Sequence, residues 1–327
     1  VNDNSIHRAL VAGPGRREVR LIERPDPASH ADPSLALVRQ RLTMFYPGVE
    51  VEEIRRAEDE AIEIPLGRLA IGEVVRAAEG GGPSVGQLIY WSGPHAERAA
   101  LDPAGDVWRP VESTDPTLMP AGVGAEAQFG LEEPIAATGG VPESVAVVGA
   151  GLLGHLAAQW LKSRGSRVTV VENSPKRLEF CKYLGLPERV DTHNLRWLER
   201  VDRWNPNGVE AIVDANGFAR SLEGMIERLR PGGWLCRLGV WRSAPSESVA
   251  RTIRERGIRC FGPRPTFGDA AEHARALGEW LDAIGSGRIA TERLITHRVR
   301  PEEAPLAAKR FAAGIRSWLG AVVDWAQ

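Results

Sequence analysis

Gly149, Gly151, Gly154 and Glu172 carry the clearest chemistry in the chain. The glycines are spaced G-x-G-x-x-G inside VAVVGAGLLGHLAAQWLK, and Glu172 closes the next apolar run, VTVVE. In such a turn the first glycine permits the tight reversal, the second lets backbone approach a pyrophosphate, and the third lets helix and strand pack closely. The N–H groups of the helix start, at Leu152 and Leu153, would face the phosphates together with the positive end of the helix dipole. A carboxylate at the end of the second strand accepts hydrogen bonds from an adenosine ribose. That combination binds a dinucleotide. Because a carboxylate meets a 2′-phosphate with like charge in a partly desolvated site, Glu172 favours NAD(H) over NADP(H).

The glycines work this way only if a strand precedes them and a helix follows. Residues 145–148 are apolar and mostly β-branched, helical spacing runs to residue 164, and a second strand spans 167–171. The alternation continues with a helix over 176–184, entered by Asn173-Ser174-Pro175 and ended by Gly185. A strand over 211–215, a helix over 221–229 and a strand over 234–240, after Pro231-Gly232-Gly233, come next. This is the rhythm of a parallel sheet with helices on both faces. Asn216, Leu238, Gly239 and Val240 then line the crevice at the carboxyl ends of the strands, while Asp214 caps a strand end. A further strand over 258–261 delivers Gly262 and Pro263, whose backbone groups would lie near the nicotinamide.

Ahead of this sheet, residues 6–115 are short strand-like runs cut by Pro and Gly, which predicts a compact, mostly β domain. A loop over 112–120 leads into a helix over 119–138. Past the last parallel strand lie a helix over 269–284 and a strand-rich tail over 294–325, with a helix over 304–313, able to return to the first domain.

A chain of 327 residues, 43% hydrophobic and 26% charged, has room for two domains and a large core. Its formal charge of -2 gives no long-range attraction for nucleic acid or an anionic membrane, so neither partner is expected. Cys181, Cys236 and Cys260 form no CxxC pair, which speaks against a disulfide framework or a Cys-rich zinc lobe and fits a reducing cytoplasm. The apolar tract over 145–161 is interrupted by three glycines, His155 and Gln159, and reads as strand plus buried helix rather than a membrane span. The opening VNDNSIHRAL has no cationic-then-apolar signal pattern.

Taken in order, VAVVGAGLLGHLAAQWLK, VTVVENSPKRLEF, AIVDANGF, LRPGGWLCRLGV and the GEVV after PLG resemble the medium-chain dehydrogenase/reductase (zinc-type alcohol dehydrogenase-like) superfamily over nearly the whole chain. The resemblance implies an α/β protein with a GroES-like β-rich catalytic domain, residues 1–124 with 265–327. A Rossmann domain with a doubly wound parallel sheet would occupy residues 125–264. It also implies a homodimer joined through an edge strand such as the one ending at Phe261, and a small-molecule substrate. Zinc members hold their metal through a cysteine before a Gly-Thr/Ser-Asp run, through a Gly-His-Glu run, and through a third ligand before the nucleotide domain. Here the matching runs are Pro47-Gly48-Val49-Glu50 and Gly67-Arg68-Leu69. Proline offers no lone pair and a guanidinium brings positive charge where zinc would sit, so no metal is expected. Val49 stands at the position of the family's relay hydroxyl. PGVE resembles the GTE run of a zinc-free branch that includes bacteriochlorophyllide dehydrogenase-like proteins.

Hydride transfer to a carbonyl needs a proton donor or polarising group at the developing oxyanion. The family register brings Tyr46, Glu50, Arg68, His95 and Glu126 towards the former metal site. His95, in GPHAE, is a candidate acid/base or a hydrogen-bonded turn histidine; Tyr46 is a candidate donor or a core residue beside Phe45. Glu126 lies near the third-ligand region or faces solvent on its helix. Arg68 and Glu50 are expected to form an ion pair in the vacated zinc site, either structural or with Arg68 polarising a carbonyl or holding an anionic substrate. Arg177 falls where family members place a basic residue on the ribose, the alternative being a solvated helix charge. Trp91 could stack on a flat substrate, whereas Trp160, Trp197, Trp204 and Trp280 read as core packing. The function that follows is a zinc-independent oxidoreductase moving a hydride between NAD(H) and a small-molecule secondary alcohol or ketone. Two alternatives stay open: NADPH-dependent reduction of an activated C=C bond, and a dinucleotide-binding protein without catalysis.

Overall fold

The computed structural model describes residues 6–30, 32–217, 222–239, 244–262, 270–315 and 317–326. In chain order the first part contains β1 (Ile6–Ala12), β2 (Val19–Pro25), β3 (Ala36–Phe45), α1 (Pro47–Glu60), β4 (Ile64–Pro65), β5 (Ala70–Arg76), β6 (Leu88–Trp91), β7 (Arg98–Leu101) and β8 (Trp108–Pro110). The middle contains α2 (Ala121–Thr138), β9 (Ser144–Val148), α3 (Leu152–Ser163), β10 (Arg167–Glu172), α4 (Pro175–Tyr183), β11 (Arg189–Asp191), α5 (Trp197–Trp204), β12 (Val209–Asp214), β13 (Leu229–Arg237), α6 (Glu247–Glu255) and β14 (Arg259–Phe261). The chain ends with α7 (Ala270–Gly285), β15 (Ile295–Val299), α8 (Ala304–Ala312) and β16 (Gly320–Asp324).

These elements separate into two compact units, one of residues 1–122, 269–281 and 294–327, the other of residues 123–268 and 282–293. The second unit is built on a six-stranded sheet in the order β11-β10-β9-β12-β13-β14, with every neighbouring pair parallel. Strand order reverses beside β9, which is the switch point where a doubly wound sheet opens a crevice at its carboxyl ends. Every residue of β9 is buried, as a central strand covered on both faces requires. The expected α/β class, a β-rich unit plus a doubly wound parallel sheet, is the architecture found.

In the first unit, β2-β1-β4 form a small sheet, and a larger sheet runs β15-β16-β3-β5-β6-β8, with β7 also pairing β3. The C-terminal β16 lies antiparallel to β3, with Ala321 opposite Phe45 and Asp324 opposite Leu42. Leu10, Phe45, Ile54, Leu66, Phe311 and Trp325 belong to one core here. Trp91 lies in a second, fully buried, with its indole N–H donated to Gln40 Oε1 at 3.2 Å. Trp91 therefore packs the interior and presents no stacking surface. Trp160 and Trp280 are buried, and Trp197 and Trp204 pack against the core of the second unit, as their helical positions suggested.

Three local expectations need correcting. Residues 6–115 are not only strands and turns, because the 14-residue α1 stands among them. Its inner stripe is Glu50, Ile54 and Ala57, so the apolar periodicity is broken at its first position by a buried acid. It also lacks a glycine stop: Ala61 ends it in the left-handed region at φ 53°, donating its N–H to Ala57 O and Glu58 O. The helix expected over 221–229 is, among the described residues, a turn followed by a 3-10 segment, Ile226–Arg228. Pro231-Gly232-Gly233 does not precede the next strand but loops out within it. Val209 pairs Leu229 while Ala211 already pairs Trp234, and Gly232 has φ 77°. Among the described residues no helix is long and apolar enough to cross a membrane.

Candidate functional site

The glycine turn leaves β9 at the carboxyl edge of the parallel sheet. Gly149 has φ 102°, and an added Cβ would lie 3.0 Å from Asn216 Cβ, so this position needs glycine for conformation and for approach. At Gly154 a Cβ would lie 1.9 Å from Gly149 O, which closes the position to any side chain. Gly151 is different. Its Cβ would meet nothing nearer than Arg177 Nη1 at 3.9 Å, so the protein itself leaves that face open. Gly151 is also the N-cap of α3 and provides no side-chain cap, so the first N–H groups of the helix, at Leu152 and Leu153, point to a ligand or water.

Glu172 ends β10 with its carboxylate nearly enclosed. Its Oε2 accepts from Ala150 N at 2.7 Å, and its Oε1 accepts from Asn173 N at 2.7 Å and Ser174 N at 2.9 Å. Arg177 Nη1 stands 3.8 Å from Oε2. An ionised carboxylate has roughly four acceptor positions, so capacity remains for a ribose hydroxyl. The same acid that would read the ribose therefore also ties the end of β10 to the glycine turn, which the spacing did not reveal. Asn216 follows β12, where Asp214 Oδ1 accepts from Asn216 N at 3.0 Å and Gly217 N at 3.1 Å, the strand-end capping expected of it. Leu238 N and Gly239 N both donate to Asp214 O, which brings their backbone to the same edge. Gly262 follows β14; Val240 and Pro263 lie outside the described residues. The turn, the uncapped helix start and the enclosed acid fit a dinucleotide.

Beneath the turn, His155 on α3 is fully buried, with Nδ1 3.9 Å from Cys181 Sγ and Nε2 without a partner among the described residues. Burial, with the Arg177 charge adding to it, pushes the imidazole down to about 3. Burial likewise pushes the Cys181 and Cys236 thiols up to about 12, so neither is a nucleophile or a ready metal ligand.

The candidates for proton transfer fall in the first unit, and there the expected pairing is wrong. Arg68 does not pair with Glu50. Its Nη2 and Nε donate to Glu53 Oε1 at 2.7 and 3.2 Å. Glu50, buried on the first turn of α1, accepts Tyr46 N at 2.8 Å through Oε2 and holds His95 Nε2 at 2.7 Å through Oε1. The geometric reason is the missed helix, which turns position 50 inward and position 53 towards the loop that carries Arg68. On the other side His95 Nδ1 meets Thr43 Oγ1 at 2.6 Å, and Thr43 Oγ1 accepts the indole N–H of Trp325 at 2.8 Å. Since the indole only donates, all groups are satisfied when Nε2–H donates to Glu50 and the Thr43 hydroxyl donates to Nδ1.

His95 has no exposed surface and both ring nitrogens are engaged, so it is the hydrogen-bonded turn histidine of the two readings offered for it. Gly67, at φ 108°, lets that turn approach, since a Cβ there would lie 2.2 Å from His95 N. Tyr46 is buried as the N-cap of α1, its ring over Gly48. Glu126 is half-buried on α2. The residue that sequence reasoning missed is Glu53. Burial raises its carboxyl above the usual range even though Arg68 pulls it down, Glu50 adds to the rise, and Arg56 opposes it; Oε2 is buried without a partner among the described residues. Only the helical reading of residues 47–60 would have put it opposite Arg68.

The positions that resemble the family's metal ligands do not fit a metal. Pro47 is the first residue of α1, Arg68 is a paired cation, and Glu50 and His95 are spent on each other. Among the described residues no group of three or more His, Cys, Asp or Glu side chains is placed to hold an ion.

The profile of zinc-binding dehydrogenases matches residues 153–274. D-altritol 5-dehydrogenase of Agrobacterium fabrum is 35% identical over 185 residues, 55% of this chain and 53% of that protein. These likenesses support the zinc-binding dehydrogenase family, of the medium-chain, alcohol dehydrogenase-like type. The chain spans about half the length of the curated relatives it matches. Solved structures extend the likeness in fold. A structure described as a short chain alcohol dehydrogenase from Escherichia coli CFT073, complexed with NADH, superposes with a TM-score of 0.79 at 19% identity, covering 98% of this chain and 100% of that one. A zinc-binding dehydrogenase from Sinorhizobium meliloti 1021, bound to NADP, gives the same TM-score, identity and coverage.

Proposed function

We propose that this chain is a nicotinamide-dependent oxidoreductase that moves a hydride between NAD(H) and a secondary alcohol or ketone of polyol type, without zinc. The observation that carries the reading is the open face of Gly151 at an uncapped helix start, beside the enclosed Glu172. The fixed position of that carboxylate supports NAD(H). Three backbone donors prevent it from swinging aside, so a 2′-phosphate would meet it. The polyol class is supported by the likeness to the relative named D-altritol 5-dehydrogenase. Zinc independence is supported by the side chains at Pro47 and Arg68 and by the mutual engagement of Glu50 and His95. A homodimer through the outer edge of β14, the last strand of the parallel sheet, belongs to the same reading.

The test is titration with NADH and NADPH, followed by turnover of a polyol and ketose panel with deuterated cofactor and a chelator present. Tighter binding of NADH and deuterium on a carbinol carbon support the reading. Absence of binding by either dinucleotide overturns it, and loss of turnover on chelation overturns its zinc-free part. Light scattering that finds a monomer overturns the dimer.

A further inference from the structure

The amino ends of the central strands frame an open cavity of about 560 Å³, lined by Glu143, Arg167, Pro206, Asn207, Arg230 and Pro231. It lies at the edge of the parallel sheet opposite the glycine turn, since Glu143 precedes β9, Arg167 begins β10 and Arg230 lies near the start of β13. Nothing in the dinucleotide reading uses it.

Its walls are fixed. Arg230 donates from Nε to Asn207 O and Gly208 O, each at 3.2 Å, and from Nη1 to Glu210 Oε1 at 2.7 Å. The other oxygen of Glu210 accepts Glu143 N at 2.6 Å. Arg230 and Glu210 thus neutralise each other, and Pro206 and Pro231 add rigid surface with no N–H of their own. Two charges remain. The Arg167 guanidinium makes no hydrogen bond or ion pair among the described residues, and its Nε is buried with no acceptor. The half-buried Arg167 lines the cavity, and a guanidinium with no acceptor among the described residues of its own chain is free to offer its Nη donors to one from outside. The Glu143 carboxylate is exposed and likewise without an ion pair among the described residues.

A planar guanidinium fork matches a carboxylate, and a neighbouring carboxylate takes a donor. We propose that this cavity binds a small carboxylate that also carries a hydroxyl or ammonium group, its carboxylate on Arg167 and its donor on Glu143. A simple anion would satisfy Arg167 but meet Glu143 with like charge, which is why a hydroxy acid or amino acid fits better than phosphate.

Glycolate titrated into the intact chain, followed by the Nε–Hε cross-peaks of its arginines, tests this. One cross-peak should move, should be absent from Arg167→Gln, and the affinity should fall about ten- to a hundredfold in that variant. Arg167→Lys, which keeps the charge but loses the fork, should fall in between, and it decides the matter if Arg167→Gln proves unfolded by circular dichroism. Wild type should prefer glycolate to acetate, and Glu143→Gln should lose that preference. No moving arginine cross-peak at millimolar glycolate overturns the proposal, as does phosphate binding as tightly as glycolate.

Discussion

His95 Nε2 lies 2.7 Å from Glu50 Oε1, with both side chains buried, so the acid of the PGVE run and the histidine of GPHAE are partners across the first unit. Through Thr43 the pair also reaches Trp325, near the C-terminal end of the chain. Removing one member strands the other without water. Glu50→Leu and His95→Phe should each cost about 3–5 kcal/mol, and the double variant should cost less than their sum by about 1–3 kcal/mol. Urea denaturation of the four proteins measures this; simple additivity would mean that the contact contributes nothing specific.

Arg68 and Glu53 form a second pair with an asymmetry between its members. Because burial raises the Glu53 carboxyl, the folded protein holds its proton more tightly than the unfolded chain does. Stability from this group therefore falls as pH rises from the ordinary value of 4.5 through the raised one. Glu53→Gln should remove that slope and be well tolerated at neutral pH. Arg68→Met leaves a desolvated carboxylate without its cation and should be the worse of the two by about 1–3 kcal/mol at pH 7. Denaturation of both variants across pH 4–8 compares them; equal losses at neutral pH would show that the charge is adequately solvated.

The parallel sheet was legible in the chain because its strands are β-branched runs buried on both faces, and Gly149 and Gly154 mark positions where a Cβ has no room. The site in the first unit was not, for a physical reason. Position 50 carries an acid on the inner face of a helix, which inverts the polarity pattern that identifies amphipathic segments, and Ala61 stops that helix in a conformation that usually announces itself with glycine. With the helix unseen, Arg68 was matched to an acid one turn away from its partner. The side-chain links from His95 to Glu50 and from Thr43 to Trp325 join residues 45 and 282 positions apart, a separation over which no local pattern operates.

Ala61 itself offers a gain. A left-handed φ of 53° costs an alanine more than a glycine, and this residue is exposed. Ala61→Gly should stabilise the protein by about 0.5–1 kcal/mol, read as a rise in the midpoint of thermal unfolding. A fall would mean that unfolded-chain entropy outweighs the relief of strain.

His155 predicts an acid-dependent loss in the second unit. Its imidazole is pushed down to about 3 from an ordinary 6.5, so below 6.5 the unfolded chain takes up a proton that the folded chain refuses. The contribution is intact above that value and is lost as pH falls towards 3, with a limiting slope of about 1.4 kcal/mol per pH unit. His155→Leu, of similar bulk and without the orphaned Nε2, should match wild type near pH 7 and lose that share of the slope between pH 6.5 and 4. Parallel pH profiles of the two proteins would expose a wrong assignment.

Gly151 and Gly154 should separate folding from binding. At Gly154 a methyl group would sit 1.9 Å from Gly149 O, so Gly154→Ala has to displace backbone and should cost about 1–3 kcal/mol or more. At Gly151 the nearest atom to that methyl is Arg177 Nη1 at 3.9 Å, and the position is a helix N-cap. Gly151→Ala should therefore lose less than about 1 kcal/mol of stability. Yet the same methyl projects onto the face where a pyrophosphate would approach the first N–H groups of α3. Gly151→Ala should bind NADH at least about tenfold more weakly while melting close to wild type. Calorimetric titration beside a thermal melt reads both quantities. Unimpaired binding in Gly151→Ala would move the phosphates away from this turn and remove the main support for a dinucleotide site there.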